Sequence, residues 1–488
     1  MAPAGGPSGR RLLRRAVLTF LTLLVPVGAA VAGVHAIRYL LKPQVEGVEL
    51  RVPTHLKSEW LERVGVGPQK QVNTGTLIRG LGTPSTESGS WSQFRGADRT
   101  NIAPTDEKLF REWPEQGLEI LWTVDVGEGY AGAAVRNGCV YLIDYDAEKK
   151  EDAVRCLSLA DGNEIWRYTY SVRVKRWHGM SRTVPAVTDD YVVTLGPRGH
   201  VVCLKAKTGE PVWKMDLVKE YGTTIPDWHA GQCPLIDGDR VILAPAGSAL
   251  LMAVQLTGEI VWKTANPHRW KMAHASVMPM EYRGERQYIC CTMKGVVGVR
   301  ASDGKLLWKT TEWAHSVAAA SPLVIGSDRI FFTVGYGGGA AMFRLRGEGD
   351  DIRIERLFKL GPKEFGSAQH TPILYDGHIY GVIPDGQLVC MDLDGKRVWA
   401  SGPANNFYIG PYLLADGKLL VMKTHKKQGL DDTLHLVEAG TGGYTELARA
   451  KVFDKGTEAW GAMALAGGKL ILRDYERMIC VRVGGGRK

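Results

Sequence analysis

The chain has 488 residues, 44% of them hydrophobic and 23% charged, with 59 glycines, 14 tryptophans and a formal net charge of +9. That length exceeds an ordinary single domain, so it holds either several domains or one large repeat architecture with ample core material. Beyond the N-terminus the lysines and arginines are dispersed, so the positive balance describes a solvated surface and a nucleic-acid partner is not expected.

Residues 1–15 carry Arg10, Arg11, Arg14 and Arg15 and read as a cytoplasmic basic tail. Residues 16–41 read as a transmembrane anchor or signal. The apolar run from Ala16 to Ile37, at about 1.5 Å per residue, is long enough for a hydrocarbon core about 30 Å thick. A cleaved secretory signal is the alternative, since Ala29, Ala30 and Ala36 offer small residues to a peptidase, but the run is longer than a typical signal core. Both readings export the body of the chain, and the expected location is a bacterial cell membrane, single-pass, with the body on the periplasmic side. Residues 42–90, with the stretch GTPSTESGS, read as a linker holding one short amphipathic piece from Leu56 to Val64.

Residues 91–488 are organised by a repeat. DGNEIW ends at Trp166, TGEPVW at Trp213, TGEIVW at Trp262, DGKLLW at Trp308 and DGKRVW at Trp399, and in each the Gly stands four residues before the Trp. The first four tryptophans are 47, 49 and 46 residues apart, and the last gap of 91 spans two periods with a degenerate copy between. Each period reads as four short strands: CPLI, RVILAP, LLMAVQL and EIVWKT in the third, separated by turn pairs such as Asp237-Gly238 and Thr257-Gly258. The Gly suits a tight turn into the fourth strand, and the Trp offers a flat surface to a neighbouring sheet. Four-stranded units stacked radially make a β-propeller, whereas a helical array would show spacing near 3.6.

Seven complete units fit between residues 130 and 452. Trp460 to Val483 supplies three further strands, and Glu119 to Val126, with Trp122 in the Trp position, supplies a lone fourth. Pairing the two gives an all-β, eight-bladed propeller closed across its ends; a seven-bladed ring with 119–126 as an appendage is the alternative. The docking tryptophans are then Trp122, Trp166, Trp213, Trp262, Trp308 and Trp399, with Trp213, Trp262 and Trp308 expected to be largely buried between blades.

The turn and Trp strand, as in KAKTGEPVW, resemble the repeat of pyrroloquinoline-quinone alcohol dehydrogenases and of the outer-membrane barrel-assembly lipoprotein, and Trp91-Ser92-Gln93-Phe94-Arg95-Gly96 resembles the WxQFRG opening of planctomycete-type propeller proteins. The resemblance covers about Trp91 to Val483 and implies the fold. For function it implies two classes, because one scaffold serves enzymes and interaction modules alike. Quinone enzymes carry an adjacent-cysteine disulfide against the cofactor, which Cys290-Cys291 resembles superficially, but here the pair lies inside an expected strand, where neighbouring side chains point to opposite faces. The calcium-binding Glu, Asn and Asp set of those enzymes, and their Asp base, find no residue-by-residue match. Cys156, Cys203, Cys390 and Cys480 recur at one repeat position and read as small core residues rather than disulfide partners.

The histidines recur as well. His178, His229, His274, His315 and His370 stand shortly before Pro185, Pro234, Pro279, Pro322 and Pro372, at the entry to successive first strands, with Trp177, Trp228 and Trp313 nearby. They are the candidate ligand-binding residues at one mouth of the central channel, against the alternative that they only bond neighbouring backbone. No HExxH, paired CxxC or HxH spacing supports a metal site, and no GxSxG elbow, phosphate-binding loop or dinucleotide fingerprint occurs. The expected function is therefore a membrane-anchored extracytoplasmic scaffold that binds a protein, peptide or glycan without a cofactor. The alternative is an alcohol or sugar dehydrogenase using pyrroloquinoline quinone with calcium.

Overall fold

Alternating apolar residues and glycine-bearing turns fold each repeat into an antiparallel meander of four strands, as in Leu235–Asp237, Arg240–Leu243, Ala249–Gln255 and Ile260–Ala265. The structure is a computed structural model that describes residues 75–87, 89–425 and 430–485. The expected basic tail, apolar span and Leu56 to Val64 piece lie outside these residues. Among the described residues no helix is long and apolar enough to cross a membrane.

Eight four-stranded sheets follow one another: blade 1 at 134–171, blade 2 at 186–216, blade 3 at 235–265, blade 4 at 278–310, blade 5 at 323–360, blade 6 at 373–400, blade 7 at 412–456 and blade 8 at 464–482 plus one N-terminal strand. That strand is Ile120–Asp125, which pairs antiparallel with Arg477–Arg482 and sets Trp122 opposite Cys480. Closure across the ends is therefore as expected, and the seven-bladed alternative falls. Within the stretch read as linker, Thr76–Arg79 adds a fifth strand to the outer edge of blade 1 by pairing with Glu164–Ser171.

The repeat motif is a lock between blades. Trp122, Trp166, Trp213, Trp262 and Trp399 each donate Nε1–H to a backbone carbonyl of the following blade, those of Leu159, Ala206, Leu256, Ala301 and Gly440, at 2.7–3.1 Å. The motif glycine of that following blade lies under the indole: a Cβ at Gly209 would sit 2.6 Å from the Trp166 ring and one at Gly304 2.4 Å from that of Trp262. The glycine thus answers two demands, a left-handed turn (φ 71° and 76°) and the close approach of a ring. The cross-strand partners of the tryptophans are small for the same reason, Cys156, Cys203, Ala253, Gly298 and Cys390. Blade 5, the degenerate copy, places Phe358 opposite Met342 and against Gly395. Trp262 and Trp308 are buried, but Trp308 turns its Nε1–H to Gln287 of its own blade, 2.6 Å away. Trp213 is only half-buried, against the expectation of burial between blades, whereas Trp166 is covered further by the extra strand at Arg79.

The first strand of each blade is innermost, and first strands of adjacent blades touch around the channel. Residues 91–109 fill that channel. Trp91 bridges to Val135 of blade 1, Ser92 accepts from Val187 of blade 2, and Gln93 accepts from Ile236 of blade 3. Arg95 donates to Thr371 and Pro372 of blade 6, Arg99 to Val277 of blade 4 and Pro234 of blade 3, and Asn101 to Tyr412 of blade 7. Glu107 then accepts from Gly467 and Gly468 of blade 8. This plug satisfies carbonyls that a bare channel would leave to water. Its two buried guanidinium groups make no ion pair among the described residues, and burial pulls each pKa down to about 10.

Candidate functional site

In such a meander the connections into the first strand and the hairpins between second and third strands share one face, here called upper; the plug leaves by the lower face, at Glu107. The fourth residue before each innermost strand therefore reaches the upper mouth. In blade order these are Tyr130, Arg182, Gly231, His274, Ala319, Gln369, Tyr408 and Trp460. All but Tyr408 wall a cavity of ≈ 400 Å³, joined by Phe94 from the plug and by His178, Trp228, Tyr336 and His370. Two residues further along the repeat, a girdle runs beneath: Val184 N–H to Cys233 Sγ, Cys233 N–H to Ser276 Oγ, Ser276 N–H to Ser321 Oγ and Ser321 N–H to Thr371 Oγ1, at 3.2, 2.9, 3.0 and 2.7 Å. Each short polar side chain closes the gap to the next blade, which fixes the mouth residues above it.

Two aromatic pairs line the cavity. Tyr130 stacks on Trp460 at 5.3 Å and Trp228 on Tyr336 at 6.3 Å. Arg182 lies over the Tyr130 ring at 4.9 Å and donates to the carbonyls of Trp228, His178 and Gly179. Burial lowers its pKa, yet a guanidinium stays charged at neutral pH. Tyr130 donates its hydroxyl to Glu458, and burial together with that carboxylate raises the phenol pKa. His274 and His370 are pulled down to about 4, by burial first and then by Arg182 and Arg95 respectively, so both rings are neutral at pH 7.

Of the residues expected from the sequence, His178, His274, His370 and Trp228 come together on the cavity wall. His229 is buried behind it, its Nε2 without a hydrogen-bond partner and its pKa pulled to about 4 by burial. His315 packs edge-on against Trp313 at 4.5 Å, and Trp313 belongs to the core shared by blades 4 and 5. Trp177 is 44% exposed with the Lys175 ammonium 5.1 Å from its ring, outside the cavity. Reading by histidine and proline missed Tyr130, Arg182, Tyr336 and Trp460. For three of them the signal was present as the fixed offset from each first strand.

Loop residues at this face that hold positive φ include His178 51°, Trp228 64°, His229 76°, Tyr336 54°, Tyr408 60° and Glu458 51°. Bulky side chains there cost about 1–3 kcal/mol each, and such strain concentrates at functional sites.

A quinone with calcium requires hard oxygen ligands, and no Asp or Glu lines this cavity. Among the described residues no three His, Cys, Asp or Glu side chains are grouped to hold one metal ion. Cys290 and Cys291 are free thiols buried in separate core clusters on opposite faces of Glu285–Thr292, away from the mouth. The residues lining this cavity do not fit the quinone and its ion.

A search of curated proteins gives no match. Among solved structures the chain is similar to BamB from Moraxella catarrhalis (14% identity, TM-score 0.50, 75% of this chain and 99% of that one). It is also similar to a europium-containing methanol dehydrogenase (12%, 0.54, 79% and 89%) and to quinohemoprotein alcohol dehydrogenase from Comamonas testosteroni (12%, 0.56, 82% and 81%). At these identities the likeness carries the fold alone. Residues 150–401, more than half of the sequence, match the family described as outer membrane protein assembly factor BamB, and the chain belongs to that family.

Proposed function

We propose that this protein is a binding scaffold held by its N-terminal segment at the outer face of a bacterial cytoplasmic membrane, and that it presents the upper mouth of its propeller to a protein, peptide or glycan. The carrying observation is the cavity itself. Strained loops from several blades bring stacked aromatic pairs and one guanidinium to a rigid rim, while the residues that a quinone and calcium would need are not assembled there. A closed ring with a filled channel suits a platform that holds its shape while a partner docks. Membership of the family described as outer membrane protein assembly factor BamB supports the same reading.

Two experiments test it. Purified protein supplied with pyrroloquinoline quinone and calcium should reduce no electron-accepting dye in the presence of alcohols or sugars; sustained turnover would replace the scaffold by the dehydrogenase reading. A photo-crosslinking side chain at Tyr336 should capture one defined adduct in intact cells, and the same group at Ser327, on the lower face of blade 5, should not. Equal capture at both positions would remove the upper mouth as the binding face.

A further inference from the structure

The wall of the cavity is chemically selective. Arg182 engages carbonyls through Nε and Nη2, and its Nη1 has no hydrogen-bond partner among the described residues. No carboxylate lines the space, and the nearby Glu458 already accepts the Tyr130 hydroxyl. Trp460 Nε1 and His370 Nε2, on residues that line the cavity, are themselves buried and without partners. One lasting positive charge and two stacked aromatic pairs thus face ≈ 400 Å³ of space.

Resting on the reading of this cavity as the binding site, we propose that its ligand is a monocarboxylate carried on an aromatic ring, the carboxylate pairing with Arg182 Nη1 and the ring lying between the Tyr130–Trp460 and Trp228–Tyr336 walls. A guanidinium in an apolar surround favours a carboxylate, through a charge-assisted hydrogen bond that an uncharged amide cannot match. His274 and His370 are neutral at pH 7 and Arg182 is the guanidinium of the wall, so a single negative charge is the best complement. Such a group occurs as a free aromatic acid or as the C-terminal residue of a peptide.

Calorimetry on the full chain in detergent separates these sources and tests the claim. The probes are phenylacetate, phenylacetamide, acetate, and acetyl-Gly-Gly-Phe with a free or amidated C-terminus. Phenylacetate or the free-acid peptide should bind, with the stronger of the two identifying the source. Its amide should bind roughly tenfold or more weakly, as for loss of a hydrogen bond to a charged group. Tyr336→Ser, at a side chain already 70% exposed, should weaken the acid roughly threefold or more without moving the melting temperature. Arg182→Gln should erase the preference for acid over amide, read in a sample whose melting is checked because Arg182 also holds the Trp228 and His178 loops. Equal binding of acid and amide, or an unchanged affinity in Tyr336→Ser, overturns the proposal. If no probe binds while the Tyr336 crosslink still forms, the ligand class is wrong and the site stands; if neither occurs, the site itself is wrong.

Discussion

Gly304 and Gly284 form a matched pair in blade 4, with φ of 76° and 77°. A Cβ at Gly304 would lie 2.4 Å from the Trp262 indole, while one at Gly284 would meet nothing within 4 Å. Alanine at either position takes on a left-handed backbone at a cost of about 1–2 kcal/mol. At Gly304 it must also displace a ring that is 7% exposed and fixed by a 3.0 Å bond to Ala301, and overpacking of that kind costs about 1–3 kcal/mol more. Gly304→Ala should therefore be the more destabilising by that second amount. Urea unfolding followed by tryptophan fluorescence reads the difference between the two midpoints, and the shared backbone cost cancels. If Gly304→Ala unfolds at the same urea concentration as Gly284→Ala, the glycine is only a turn residue and the interblade lock is not what the motif encodes.

Trp122→Ala removes the indole that joins blade 8 to blade 1 at Leu159 and should cost about 3–5 kcal/mol by urea unfolding; wild-type stability would show the ring to be held elsewhere. Arg99→Met orphans the Val277 and Pro234 carbonyls at about 1–3 kcal/mol each, so a clear loss of melting temperature is expected, and an unchanged one would mean that the plug does not brace the blades. Asp152 is fully buried, and burial pushes its carboxyl up to about 7 from an ordinary 3.8. The folded state then holds a proton that the unfolded chain releases, so stability is lost as pH rises from 3.8 to 7. The advantage of Asp152→Asn over wild type should accordingly grow across that window and level off above it. A difference independent of pH would contradict the assignment.

Much of the architecture was legible because its cause is periodic. Glycine and tryptophan recur at fixed spacing since each indole must lie on the next blade's glycine, and the lone Trp122 strand could be matched to the C-terminal three because neither completes a sheet alone. The plug was not legible. Arg95 and Arg99 look like surface cations in sequence, and only the ring of blades supplies the carbonyls that let them be buried. The mouth was half legible. Histidine drew attention to the right loops, but only His274 stands at the mouth position, which changes residue type from blade to blade, from Tyr130 to Arg182 to Trp460, so no motif marks it. Trp313 shows the converse, an aromatic in a suggestive place that the core between blades 4 and 5 absorbs.

The claim that the upper mouth is the working face is tested most directly by thiol protection. All eight native cysteines are buried and leave the background silent. Ser316→Cys, exposed beside the cavity residue Val317, and Ser327→Cys, exposed in the lower turn of the same blade, place one reactive thiol on each face. Both should react with maleimide at similar rates in purified protein. In native membranes the thiol of Ser316→Cys should become protected while that of Ser327→Cys reacts as before; equal reactivity of the two, or protection of the lower face alone, would contradict the account.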